Sequence, residues 1–107
     1  MSSDSTLGGY FQVHDRPPAF EGTDGAAYSV GEFVDDAPDE RGQFGAALLF
    51  VRWSESGDEP VGHLETECLV FGPDPETAAV SLRALTLHEV KQHLDTLIAS
   101  RKENPSW

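Results

Sequence analysis

Hydrophobic and polar residues alternate with a period of two through the middle of the chain. Three segments have the length and alternation of β-strands, and they are Ala26–Val34, Phe44–Trp53 and Val61–Phe71. The link between the second and third, residues 54–60, has the polar composition of a hairpin loop. The pattern therefore predicts that these two strands are antiparallel neighbours in a sheet.

The hairpin also predicts which residues share a face. If Trp53 and Val61 are partners across the loop, Phe50 lies opposite Leu64. The same register places Leu48 opposite Thr66 and Ala46 opposite Cys68. These residues form a mostly apolar face, which we expect to be the core face, with Cys68 as an inert packed thiol.

The C-terminal third changes to a helical period. Thr86 and Glu89 have the spacing of a capping box, and five apolar residues then recur on one face of a helix. They are Leu87, Val90, Leu94, Leu97 and Ile98. The spacing predicts an amphipathic helix over about Leu87–Arg101.

Two other segments are less uniform. Asp74–Leu85 begins with an N-cap aspartate followed by proline, which favours a helix, but Val80, Leu82 and Ala84 also alternate like a fourth strand. Its alanines favour the helix. Tyr10–Val13 is predicted as a short strand.

The fold class that follows is α+β. We expect an antiparallel sheet of three or four strands with the amphipathic C-terminal helix on one face, or with two consecutive C-terminal helices. The domain covers residues 10–103, between a flexible N-terminus, 1–9, and a C-terminal tail, 104–107. This order of strands and a capped helix resembles the sheet-plus-helix modules of small antitoxins and of double-stranded-RNA-binding domains, and it transfers no function.

Charge narrows the range of partners. Nineteen acidic and seven basic residues give a net charge of −12, and each half of the chain, divided after Trp53, carries −6. Such a surface repels nucleic acid and anionic membranes. Two explanations stay open: adaptation to concentrated salt, which the scarcity of lysine favours, or attraction of a basic protein partner.

The compartment predicted from the sequence is the cytoplasm. The first residues lack the cationic and apolar regions of a signal peptide, and the longest apolar run, Ala46–Val51, is too short to cross a bilayer. Cys68 is the one cysteine, which fits a reducing environment.

One polar cluster is a candidate for chemistry. Strand alternation puts His63, Glu65 and Glu67 on the face opposite the core, where they could bind a divalent metal or act as acid and base. If the fourth strand existed, Arg83 would lie opposite Glu65 in an ordinary cross-strand ion pair. Outward polar residues are also the normal pattern of a half-exposed sheet, and no cofactor motif accompanies the cluster.

An apolar row lies beside that cluster. The second strand contributes Ala47, Leu49, Val51 and Trp53 to the same face. Either the N-terminal segment covers this row, with Phe20 or Tyr10 as plugs, or a second subunit does. The sequence therefore favours a non-enzymatic protein-interaction module, homodimeric or bound to a basic partner. A small metal-binding enzyme and a small-ligand carrier are the alternatives.

Overall fold

The computed structural model describes residues 6–13 and 19–103. It contains five strands and three helices within these residues, and the α+β class is confirmed. The elements, in chain order, are α1 (Leu7–Val13), β1 (Ala19–Glu21), β2 (Ala27–Val34), β3 (Phe44–Trp53), β4 (Pro60–Glu65), β5 (Val70–Gly72), α2 (Pro75–Arg83) and α3 (Leu87–Glu103).

The strands form one antiparallel sheet in the order β1-β2-β3-β4. Ala46 of β3 pairs with Val34 of β2 and also with Val70 of β5. Strand β5 therefore lies on the same edge of β3 as β4, and together they take the place of the single strand predicted over Val61–Phe71. The long central strand β3 has neighbours along both edges.

The predicted register holds in the middle of the hairpin and fails at its ends. Phe50 lies opposite Leu64, as expected, but a bulge shifts Trp53 onto Pro60 instead of Val61. Ala46 lies opposite Val70 and not opposite Cys68. Between the pairs Leu49–Glu65 and Ala46–Val70, β3 has two residues and the other chain segment has four. The four are residues 66–69, which form an irregular bulge.

The bulge keeps its hydrogen bonds through Thr66. The backbone N–H of Thr66 donates to the Leu48 carbonyl at 3.0 Å, and the Leu48 N–H donates to the Thr66 hydroxyl oxygen at 3.0 Å. A side chain thus replaces the backbone acceptor that a regular strand would supply. Leu48 and Thr66 are neighbours, as the sequence predicts, although by this different arrangement.

All three helices contribute to one core on one face of the sheet. Residues from each helix join Leu48, Phe50 and Leu64 in a single buried cluster. The helical members are Leu7 of α1, Ala78 and Leu82 of α2, and Val90, Leu94 and Ile98 of α3. The predicted packing of the C-terminal helix on the Leu48/Phe50/Leu64 face is confirmed.

The segment that the pattern left ambiguous is a helix. The Asp74 carboxylate caps α2 by accepting from the Thr77 N–H at 2.7 Å, and Pro75 begins the first turn. The capping box of α3 forms as predicted: Thr86 N–H donates to the Glu89 carboxylate and Glu89 N–H to the Thr86 hydroxyl. The sheet therefore has no strand over Asp74–Leu85.

The start of the described chain differs from its prediction. Leu7–Val13 is a helix, whereas a strand was expected over Tyr10–Val13. Leu7 is fully buried in the core, and its N–H donates to the Leu85 carbonyl at 2.9 Å. Seven residues with two glycines form a weak helix alone, so packing of Leu7 is what stabilises it. Of the predicted flexible segment 1–9, residues 1–5 lie outside the described residues, as does the predicted tail 104–107.

Candidate functional site

The face of the sheet opposite the helices is apolar and open to solvent. We call it the outer face and define it by the residues that alternation directs away from the core. These are Ala19, Glu21, Ala27, Ser29, Gly31 and Phe33 of β1 and β2, Gly45, Ala47, Leu49, Val51 and Trp53 of β3, Val61, His63 and Glu65 of β4, and Phe71 of β5; Gly45 and Ala47 are buried beneath their neighbours. Within the described residues, every helix packs on the other face.

Two aromatic side chains stand out from this face. Phe33 and Phe71 are each 50% exposed, which is unusual for phenylalanine in a folded domain. Between them lie the small residues Gly45 and Ala47, their register partners on β3. From the sequence, only the β3 row was predicted to form this face. The alternation of Ser29, Gly31 and Phe33 along β2 would have predicted that β2 also contributes to it.

The other end of the outer face is held by Trp53. Its indole Nε1–H donates to the Ser29 hydroxyl at 2.9 Å, which fixes the ring over β2. Leu49 and Val51 are half-buried between Trp53 and the phenylalanines. A Cβ atom at Gly31 would meet no atom closer than 4.0 Å, so no side chain fills the space above this residue. The outer face therefore has aromatic rings at both ends, with a glycine and half-buried aliphatic residues between them.

Of the two covers that the sequence allows for this face, the described N-terminal elements do not supply the intramolecular one through Phe20. Phe20 lies opposite Tyr28 in the sheet, and it packs against the core cluster on the helical side. Helix α1, which carries Tyr10, contacts α2 and buries Leu7 in that same core. Phe20, one of the two residues that could have plugged the apolar row, does not do so, because β1 pairs with β2 in a register that turns Phe20 inward.

The polar cluster is only partly assembled. His63 and Glu65 lie in β4 opposite Val51 and Leu49, both exposed on the outer face, whereas Glu67 falls in the bulge beyond the strand. Arg83 does not approach Glu65; it forms a two-bond ion pair with Glu32, with Nη2 2.9 Å from Oε1. In the described part of the chain, no group of three or more His, Cys, Asp or Glu side chains has the geometry to hold a metal ion.

Cys68 lies on the opposite face from the one predicted. A Cβ atom at Gly45, an outer-face position, would come within 2.5 Å of the Cys68 sulfur, so this thiol covers Gly45. Burial, together with the nearby Asp35 carboxylate 3.9 Å from Sγ, raises the pKa of Cys68. Because the bulge contains two extra residues, side chains within it point to the face opposite the one that strand alternation predicts, and in β5 they follow the predicted alternation again.

A polar network closes the end of the sheet near Trp53. The buried Tyr28 hydroxyl donates to Asp24 at 2.9 Å, and Arg52 Nε lies 3.5 Å from the same carboxylate oxygen. Burial works to raise the pKa of Asp24, but the hydrogen bonds from Ala26 and Tyr28 and the charge of Arg52 outweigh it and lower the pKa. Burial and the Asp24 carboxylate raise the pKa of Tyr28 to about 12.

Acids lie at both ends of the outer face, and along its β4 border Glu65 shares a surface cleft with Arg101 of α3. The five strands contain one lysine or arginine residue, Arg52, which lies opposite Tyr28 on the core side and pairs with Asp24. At one end of the sheet, Asp39 accepts from the N–H groups of Gln43 and Arg41, and these bonds lower its pKa. At the other end, the Ser56 and Ser54 hydroxyls lower the pKa of Asp58. These acids are therefore ionised at neutral pH.

No helix in the described ranges is long and apolar enough to span a membrane. Comparison of the chain with protein-family models, with curated proteins and with solved structures finds no significant match.

Proposed function

We propose that this protein is a non-enzymatic interaction module that binds a basic partner protein through its outer face. The observation that carries the proposal is an apolar sheet face, left open by the described helices, with ionised acids at both ends and no cation in its strands other than core-side Arg52.

The apolar character of the outer face supports binding. A face with two half-exposed phenylalanines, a tryptophan and two aliphatic residues is larger than the scattered apolar residues of an ordinary surface. Aromatic side chains are also the residues that contribute most to protein–protein binding when a partner excludes water from them. A polar border around an apolar centre is the usual arrangement of an interface.

The charge favours a basic partner over a second copy of the chain. Two outer faces placed together would bring Glu65 of each copy into the same interface, between molecules that each carry −12. A partner with lysine and arginine around an apolar centre would instead be attracted. The two interfaces respond to salt in opposite directions, since salt weakens attraction between unlike charges and relieves repulsion between like charges.

The experiment is site-specific photocrosslinking in the source cells from position 33, followed by purification of the captured protein. The purified partner should bind the wild-type chain and lose at least tenfold in affinity to Phe33→Ser, because the substitution removes a half-exposed aromatic ring from the outer face. Val80→Ser is the matched control, since Val80 is 57% exposed on α2, in the helical layer. Its affinity should match that of the wild type.

Salt separates this result from dimerisation. Affinity for the captured partner should fall as KCl rises from 0.05 to 0.5 M. Over this range the Debye length falls from more than about 10 Å to less than that, so attraction between unlike charges weakens. If sedimentation instead shows a dimer that strengthens with KCl and is abolished by Phe33→Ser, the outer face is a homodimer interface and the proposal is wrong. Equal binding by the Phe33 and Val80 variants would also contradict it.

A further inference from the structure

The shape of the outer face narrows the kind of partner. We infer that the partner element is a single amphipathic α-helix with basic residues flanking its apolar stripe, and that it lies along β3. This inference rests on the proposed function and adds the secondary structure of the bound segment.

The dimensions of the apolar surface fit one helix. Along β3, the distance from the level of Phe33, which lies opposite the buried Ala47, to Trp53 is about 20 Å at ~3.3 Å per residue. Across the sheet, from Phe33 on β2 to Phe71 on β5, the apolar surface covers two strand spacings, or about 10 Å. A helix is about 10–12 Å wide with its side chains, and about 13 residues of helix cover 20 Å. A packed sheet would need a wider apolar area.

The relief of the face also fits a helix. Gly31 leaves room above β2, while Phe33 stands at one end and Trp53, fixed by its bond to Ser29, at the other. Apolar side chains at helical spacings of three and four residues would reach the open space above Gly31 and the rings at both ends from one stripe. A helix here would give the sheet a second helical layer, opposite α2 and α3.

The charges fix where the basic residues of the helix lie. Glu65 is exposed on the β4 border beside Leu49, with Arg101 of α3 lining the same cleft, and Asp39 and Asp58 lie at opposite ends of the sheet. Lysine or arginine next to the apolar stripe would meet Glu65, and their long apolar stems would cover the edge of the row. An acidic flank on the helix would meet the same border with like charge.

The test uses designed peptides as probes. A 14-residue leucine–lysine peptide with leucines on one helical face is compared with a scrambled peptide of the same composition and with a leucine–glutamate peptide. Binding is followed by the fluorescence of Trp53 in a Trp107→Phe background and by anisotropy of labelled peptide. We expect one-to-one binding of the ordered leucine–lysine peptide, a change in Trp53 emission, and at least tenfold weaker binding of both other peptides.

Paired variants locate the binding. Phe33→Ser should weaken the ordered peptide at least tenfold and Val80→Ser less than twofold. Glu65→Lys should weaken it at least threefold more than Glu76→Lys, which makes the same charge change at an exposed position on α2. Thermal unfolding confirms that each variant folds. If Phe33→Ser does not fold, the comparison of Glu65→Lys with Glu76→Lys still tests the inference, because both glutamates are exposed.

The outcomes distinguish this inference from the proposed function. Equal binding of the ordered and scrambled peptides, or equal effects of the paired variants, would show general attraction to an acidic protein and would overturn the helix. If the crosslinked partner nevertheless binds the outer face and the peptides do not, the proposed function stands and the helical mode is wrong. If neither binds there, both are wrong.

Discussion

Asp24 shows how one side chain organises the end of the sheet. Its carboxylate accepts from the Tyr28 hydroxyl at 2.9 Å and from the Ala26 N–H at 3.1 Å, and it faces Arg52. We expect Asp24→Ala to lower the free energy of unfolding by about 1–3 kcal/mol at pH 7, because the buried Tyr28 hydroxyl loses its acceptor. Urea denaturation gives the value.

The effect of Asp24 should depend on pH in one direction. Its pKa is lower in the folded protein than the ordinary value of 3.8, so the ionised group stabilises the fold at every pH above that value. This part of the stability is lost as pH falls through the folded pKa. The difference between wild type and variant should be constant from pH 5 to 8 and smaller at pH 3. Asp36→Ala, at an exposed loop position, is the control, and an equal effect of the two would contradict the prediction.

Among the elements, the bulge between β4 and β5 depends on the Thr66 hydroxyl. We expect Thr66→Val to lower the free energy of unfolding by about 1–3 kcal/mol, because the Leu48 N–H in the central strand loses its acceptor. Thr66→Ser keeps the hydroxyl and should retain most of the stability. Thr96→Val on α3 is the control, since that exposed hydroxyl only donates to the Gln92 carbonyl. If urea denaturation finds Thr66→Val as stable as Thr96→Val, the bulge does not depend on this bond.

Elements with local signals were predictable from the sequence. The Phe50–Leu64 pairing follows from alternation and a polar loop, and α3 follows from its capping box and apolar spacing. The bulge was not predictable, because it depends on a hydrogen bond between residues 18 positions apart. It turns Cys68 to the outer face, whereas the sequence predicted the core face. Helix α1 was missed because the tertiary burial of Leu7, not local propensity, makes it helical.

The candidate site was predictable only where local alternation determines which face a residue occupies. Alternation along β3 correctly places Leu49 and Val51 on the face opposite the core. That this face stays open depends on which side of the sheet the N-terminal elements take, and no local pattern encodes that side. Phe20 turns inward only because β1 pairs with β2 in the register that sets it opposite Tyr28.

At the scale of the whole molecule, the net charge of −12 opposes folding by self-repulsion. Pairs such as Arg83–Glu32 and Lys91–Asp95 neutralise individual acids, while the loop acids Glu55, Asp58 and Glu59 are exposed at one end of the sheet. The Debye length shortens from about 10 Å at 0.1 M salt to about 3 Å at 1 M, so repulsion between separated acids disappears over this range.

We therefore expect the thermal midpoint to rise by roughly 10 °C between 0.1 and 2 M KCl, which corresponds to about 2 kcal/mol for a domain of this size. A variant with Glu55→Gln and Glu59→Gln should be more stable at low salt, and its midpoint should rise less steeply with KCl, because it removes two of the repelling charges. A steep rise that the variant reduces would show that the exposed acids repel one another at low salt. A midpoint independent of KCl would mean that the acids are already accommodated at low salt, and the prediction would be wrong.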